Sequence, residues 1–354
     1  MKVLIVGLGS VGQRHLRNLR MLMPHTLEVL AYRVRRFPQI INNMLRIEEG
    51  ISLEEKYNIR VFGDLKEALE EKPEVAFIAN PNHFHISVAL EAARAGCHLF
   101  IEKPLSDSLD GVEELIETVE RNRLIAMVGY QFRFHPYLIR IREVLEKEAI
   151  GHLLSVRMDV GEYLPGWHTY EDYRHTHPAR KELGGGVILS QIHELDYAYS
   201  LFGMPRRLFA VGGKLSHLEI DVEDTASILM ECRRNGSVLP VHLQQDFLQT
   251  PPSRRCEIIG DSGKIIWNYH EGTLALFQAK EEKPELHRLE RFERNQLFLD
   301  ELKHFLMCVR GKEQPVVTLR DGVNSLKMAL AAKQSLETGE VVSLYGNEIY
   351  QKNI

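Results

Sequence analysis

The sequence predicts a two-domain α/β chain. A doubly wound parallel sheet occupies residues 1–128, and an α+β domain with a large, mostly antiparallel sheet occupies residues 129–354. Three observations carry this. A chain of 354 residues exceeds what one hydrophobic core usually serves. Its first part alternates unbroken apolar runs with helical patterns, as parallel strands buried on both faces require. Beyond Gly129 the runs alternate instead, with Val156, Met158 and Val160 on one face and Ser155, Arg157 and Asp159 on the other.

In chain order, Val3 to Val6, Leu27 to Tyr32, Ile59 to Phe62, Val75 to Ala79, Leu99 to Ile101 and Ile125 to Val128 are the expected strands of the first domain. The helices between them run from Val11 to Met23, from the cap Asp64 onward, from about His83 to the stop at Gly96, and from Asp110 to Arg121. In the second domain Ala226, Ile228, Met230 and Cys232 repeat the alternation. Further strands are expected at Val238 to Phe247, Cys256 to Ile259, Lys264 to Trp267 and Thr273 to Phe277. Asn235-Gly236 and Asp261-Ser262-Gly263 supply turns, and Pro240 implies an edge position or a bulge. Glu281 to Arg294 is charge-dense and expected to be an exposed connector. Helices from Phe292 to Val309 and from Arg320 to Glu337 close the chain. They leave one sheet face for a second copy, so a homodimer or homotetramer through this sheet is expected.

Composition narrows the function classes. A formal net charge of −5 excludes a generic nucleic-acid binder, which needs a basic excess. No apolar run approaches the length of a membrane span, so no membrane partner is expected. Cys97, Cys232, Cys256 and Cys308 lack metal-ligand spacing and read as reduced thiols of a cytoplasmic protein. Gly7, Gly9 and Gly12 interrupt the apolar start before a secretory core could form.

Gly7-Leu8-Gly9-Ser10-Val11-Gly12 fits G-x-G-x-x-G between a strand and a helix, the arrangement of a Rossmann dinucleotide site. The first glycine allows the turn and the second the approach of a pyrophosphate. The third lets helix and strand pack, with the helix N-terminus facing the anion. At the end of the second strand, where an acid would grip the ribose of NAD, the chain has Arg33, Arg35 and Arg36. Arginines there suit a 2′-phosphate, so NADP is favoured over NAD.

Asn80-Pro81-Asn82-His83-Phe84-His85 and Ala95-Gly96-Cys97-His98 through Glu102-Lys103-Pro104 follow two strands, at the edge where open α/β sheets bind ligands. Gly184-Gly185-Gly186 then precedes a helix bearing His193, which lies off the apolar stripe of Ile188, Ile192, Leu195, Tyr199 and Phe202. With these four ordered motifs the chain resembles the Gfo/Idh/MocA oxidoreductases, the family of glucose–fructose oxidoreductase and inositol dehydrogenase. The resemblance covers most of the chain. It implies that Lys103 and His193 form the catalytic acid–base pair, both also touching substrate. It implies too that Asn80, Pro81, His85 and Glu102 complete a cofactor site with Lys103 and residues 7–12, and that Lys103-Pro104 is a cis bond. Many members have an aspartate one turn before the histidine, where this chain has Ser190. Either Lys103 and His193 carry the proton chemistry, or Asp196 partly substitutes, or activity is altered.

The stretch from Trp167 to Arg180 is dense in aromatics, histidines and arginines. Trp167, Tyr173, Arg174 and Arg180 suit stacking on a sugar and gripping a diphosphate or carboxylate, and Arg133 is a further substrate candidate at the domain crossing. His175 and His177 have ligand-like alternation, but no acid or thiol pattern accompanies them and no metal is expected. The leading reading is an NAD(P)-dependent oxidoreductase of a sugar, inositol or nucleotide-sugar. A non-catalytic NAD(P)-dependent sensor and a redox-assisted lyase or glycosidase are the alternatives.

Overall fold

Six short apolar segments pair in parallel because each is buried on both faces and joined to the next by a crossover. In the computed structural model, which describes residues 1–34, 39–279 and 281–344, they lie in the order Ile59–Phe62, Glu28–Tyr32, Lys2–Val6, Val75–Ile78, His98–Glu102, Ala126–Gly129. Val6 is in register with both Tyr32 and Ile78, and Ile78 with Ile101. The residues after these strands (Gly7, Arg33, Asn80, Lys103) therefore share one sheet edge.

The second sheet has nine strands. Their order is Glu285–Arg288, Thr273–Gln278, Gly263–Asn268, Ser253–Gly260, Leu153–Gly161, Ser237–Asp246, Thr225–Arg234, Arg207–Gly213, Val342–Ser343. All neighbours are antiparallel except Leu153–Gly161 with Ser237–Asp246. Alternation decides which face is inside: Ala226, Ile228, Met230 and Cys232 are buried while Leu229 between them is 53 % exposed. The helices His193–Phe202 and Leu319–Thr338 cover the inner face. A capping box of Thr318 and Asp321 starts the second of these, and Gly339 at φ +70° ends it. A Cβ on Gly322 would come within 2.8 Å of Val128, so this glycine lets the helix pack closely against the first sheet.

Several expectations are corrected. The single helix through Ile188 and His193 is two, Val187–Ser190 and His193–Phe202. Glu281 to Arg294 is not all connector, because Glu285–Arg288 forms the sheet's edge strand. Arg207–Gly213 is a strand whose alternating positions are all apolar, Leu208 and Ala210 inward, Phe209 and Val211 outward, so it carries no period-2 contrast. Pro240 lies in a central strand, yet one residue before its pairing with Leu153–Gly161 begins at Val241, so the position has a partner on one side only.

Candidate active site

The glycine loop has the shape its motif requires. Gly7 sits at φ +87°, where a side chain would be strained, and a Cβ there would meet the Ala79 carbonyl at 2.7 Å. A Cβ on Gly12 would lie 2.1 Å from the Gly7 carbonyl, whereas Gly9 faces open space. Gly9 thus leaves room for a phosphate at the start of helix Ser10–Leu22, and Ser10 and Val11 line the same cleft. The cleft measures about 1260 Å³, above the usual volume for one small ligand. At its far end Arg33 is ion-paired with Glu54. Arg35 and Arg36 lie outside the described residues.

Lys103 is half-buried on the cleft floor, after the fifth strand of the sheet. Its ammonium donates to the Ser190 carbonyl at 2.7 Å, and the Lys103–Pro104 bond is cis. Burial pushes the ammonium's pKa below its ordinary value; Glu102 pulls it up and Arg294 and Arg254 pull it down. Burial pushes the Glu102 carboxyl up, but the His15 ring 2.6 Å away and Lys103 bring it below its ordinary value overall. His85 spans two loops, with Nδ1 2.9 Å from the Pro104 carbonyl and Nε2 2.8 Å from that of Asn80. It therefore fixes the lysine loop against the Asn80-Pro81 loop, and His85, Asn80 and Pro81 line the cleft.

His193 opens the helix His193–Phe202, 5 % exposed, with its ring 5.0 Å from that of Phe132. The helix break at Gln191 and Ile192 matters here, because it leaves the Ser190 carbonyl as an acceptor for Lys103. Burial pushes the His193 imidazole well below its ordinary pKa, and Lys103, Arg254 and Arg294 add to the effect, so the ring is neutral. Among the described residues its Nδ1 has no partner, and neither has the Ser190 hydroxyl, the Asn80 side-chain oxygen or the Trp167 indole nitrogen. Four unpartnered buried polar atoms on the walls of one cleft suit a polar ligand.

Other candidates do not converge. Arg133 points away from the cleft lining, its Nε donating to Asp196 at 2.6 Å and Nη2 at 2.9 Å. Asp196 also accepts from Ser325 at 3.1 Å, so its carboxylate is committed to Arg133 and Ser325. Arg174 pairs with Asp172 and Glu219, and Arg180 lies 3.6 Å from Asp221. The Tyr173 hydroxyl accepts from the Glu219 N–H. Only Trp167 of that group lines the cleft, beside His168, Tyr170 and His177. The sequence reading missed Arg14, Glu162, Arg254 and Arg294, which also line it. One sign of Arg254 was legible: it shares the inward face of its strand with Cys256 and Ile258.

Among the described residues one group has metal-ligand proximity, His304, Cys308 and Glu313, outside this cleft. His304 Nδ1 already faces Glu313 at 2.5 Å, and its Nε2 accepts the Val316 N–H at 3.0 Å.

Comparison with known proteins agrees with this geometry. Residues 1–130 match the model of an oxidoreductase family with an NAD-binding Rossmann fold, and residues 142–344 match that family's C-terminal alpha/beta domain. A myo-inositol 2-dehydrogenase of Thermotoga maritima is 27 % identical over 356 residues, covering 97 % of this chain and 98 % of that protein. A levoglucosan dehydrogenase solved with NADH and levoglucosan superposes with a TM-score of 0.80 at 20 % identity, covering 98 % of this chain and all of that one. The WlbA dehydrogenase of Bordetella pertussis, solved with NADH and UDP-GlcNAcA, superposes at 0.79 and 18 % identity, covering 98 % and 99 %. At these identities the two structures show the shared fold.

Proposed function

The chain belongs to the Gfo/Idh/MocA oxidoreductase family, and from that premise we propose that it moves a hydride between NAD(P) and a hydroxyl or carbonyl of a sugar, an inositol or a nucleotide-sugar. The observation that carries this is that Lys103 and the buried His193 line the same cleft into which the glycine loop opens. When bound, the nicotinamide supplies the hydride acceptor or donor. Residues 7–12 would hold the dinucleotide's diphosphate, and Asn80, Pro81, His85 and Glu102 would frame its nicotinamide end. The Lys103 ammonium donates a hydrogen bond to the reacting oxygen, and His193, uncharged before oxidation, accepts the hydroxyl proton, or, protonated before reduction, returns it. Lys103, Arg254 and Arg294 disfavour the charged form of the ring, so Lys103 acts on the negative charge that develops on the reacting oxygen.

Residues 1–128 serve as the dinucleotide-binding domain and residues 129–354 as the substrate and assembly domain. Arg33 in place of an acid favours NADP over NAD, with Glu54 competing for its charge. A second copy covers the open sheet face, where Val211 and Leu229 are 60 % and 53 % exposed, and light scattering of Leu229→Glu would show its loss. The four cysteines are buried and unpaired, consistent with a cytoplasmic protein. Among the described residues no helix is long and apolar enough to cross a membrane.

Nicotinamide absorbance during incubation with a carbohydrate panel tests the reading. A net change marks the dehydrogenase. Turnover without net change would mark a redox-assisted lyase or glycosidase, and cofactor binding without any turnover a sensor.

A further inference from the structure

Arg254 stands on the inner face of the strand Ser253–Gly260 and is only 5 % exposed. A guanidinium in that position is costly unless its charge and donors are met. Its Nε donates to Glu194 at 2.8 Å, while the next carboxylate, Glu162, is 3.9 Å from Nη2 and beyond hydrogen-bond distance. Of the five N–H donors of an arginine, those on the two terminal nitrogens thus have no hydrogen-bond acceptor among the described residues, with Glu162 a more distant ion pair, and the side chain lines the cleft. The group is also held in place. Its guanidinium carbon lies 4.5 Å from the ring centroid of Phe132 and 5.5 Å from that of Tyr269.

The local charge is only partly offset. Glu194 and, at 3.9 Å, Glu162 both favour the charged guanidinium, but burial pushes the Glu194 carboxyl up and its second oxygen has no partner among the described residues. Glu102 is taken by His15. Lys103, Arg254 and Arg294 all act on His193 as positive charges, in a protein whose formal net charge is −5. The cofactor's diphosphate does not account for Arg254. That anion belongs at the glycine loop on the first sheet, where Arg14 lies against Phe298 and Asn295, whereas Arg254 is on the second sheet with Phe132 and Glu194.

We infer that the substrate is an anionic carbohydrate, its carboxylate or phosphate received by the terminal nitrogens of Arg254 with Arg294 alongside. This rests on the dehydrogenase reading and narrows its substrate class. A planar fork whose two terminal nitrogens lack a hydrogen-bond acceptor among the described residues matches a carboxylate or phosphate edge in bidentate fashion. It places the sugar hydroxyls next to Lys103 and His193.

The test compares D-glucuronate and D-glucose 1-phosphate with D-glucose and myo-inositol on the cofactor-supplied protein, by calorimetric binding and by nicotinamide absorbance. At least one anion should bind at least about tenfold more tightly than its neutral counterpart. Which of the two does so tells carboxylate from phosphate recognition. Arg254→Lys keeps a charge for Glu194 but loses the fork, and should raise KM for the anion about 10- to 100-fold with a smaller change in kcat. Because this site is buried, the exposed Arg294→Gln serves as the second variant. It should weaken anion binding a few-fold more than it weakens neutral-sugar binding. Equal or better binding of neutral sugars by the wild type overturns the inference, as does anion preference unchanged in both variants. Anion binding with no turnover would retain the anion site and remove the dehydrogenase reading; oxidation of neutral sugars alone does the reverse.

Discussion

The ammonium of Lys103 and the backbone carbonyl of Ser190 meet at 2.7 Å across the cleft, joining the first sheet to the helix break that precedes His193. The lysine is thereby held by an uncharged acceptor rather than a carboxylate. A substrate oxygen can displace or share that contact without breaking an ion pair.

Replacing Lys103 with Ala should lower kcat by about 10²- to 10⁴-fold while cofactor affinity changes little, because the glycine loop is untouched. Steady-state kinetics with fluorescence titration of the cofactor would read both quantities. A variant turning over at the wild-type rate removes Lys103 from the chemistry.

Ser190→Asp puts a carboxylate one turn from His193. Burial and three cations hold the wild-type imidazole far below its ordinary pKa, so it stays neutral as pH falls through 6.5. An added negative charge favours the imidazolium, and the acid limb of kcat/KM should move to higher pH by about 1 unit or more. Coincident limbs in the two proteins would show that His193 does not titrate in the catalytic cycle.

Cofactor choice turns on the pair of Arg33 and Glu54. Glu54→Gln removes the paired negative charge and should raise kcat/KM with NADP relative to NAD, by about 3- to 10-fold. Arg33→Asp should do the opposite. If the NADP/NAD ratio stays fixed in both, this end of the cleft does not sense the 2′-phosphate.

Stability should fall in acid. Burial holds His135 at about 4 and His177 at about 3, and holds His193 well below its ordinary value. Unfolding returns each to 6.5, so between those values the unfolded chain binds more protons and stability rises with pH. The benefit is complete above about 6.5 and is lost as pH drops below it. Each such histidine contributes up to about 1.4 kcal/mol per pH unit. Denaturant midpoints measured from pH 7 down to 4 would show the decline. A flat profile would mean that these rings charge freely in the folded state.

Much of the architecture could be read without coordinates. Apolar runs such as Val75–Ile78 and the alternation of Ala226, Ile228, Met230 and Cys232 report burial directly, because strand geometry has a fixed period of two. The polar strand Glu285–Arg288 and the all-apolar Arg207–Gly213 escaped, since neither offers a contrast between faces. The helix break before His193 escaped because no proline or glycine marks it.

By itself the sequence determined the two sheets, the glycine loop and the strand-end position of Lys103. These depend on local periodicity and on backbone freedom at single residues such as Gly7. Only the tertiary structure decided which arginines reach the cleft. Arg133 pairs with Asp196 across 63 residues and Arg254 with Glu194 across 60, while Arg174 and Arg180 find acids nearer the surface. A charged side chain goes where its counter-charge and desolvation cost balance, and both are set by chain segments distant in sequence.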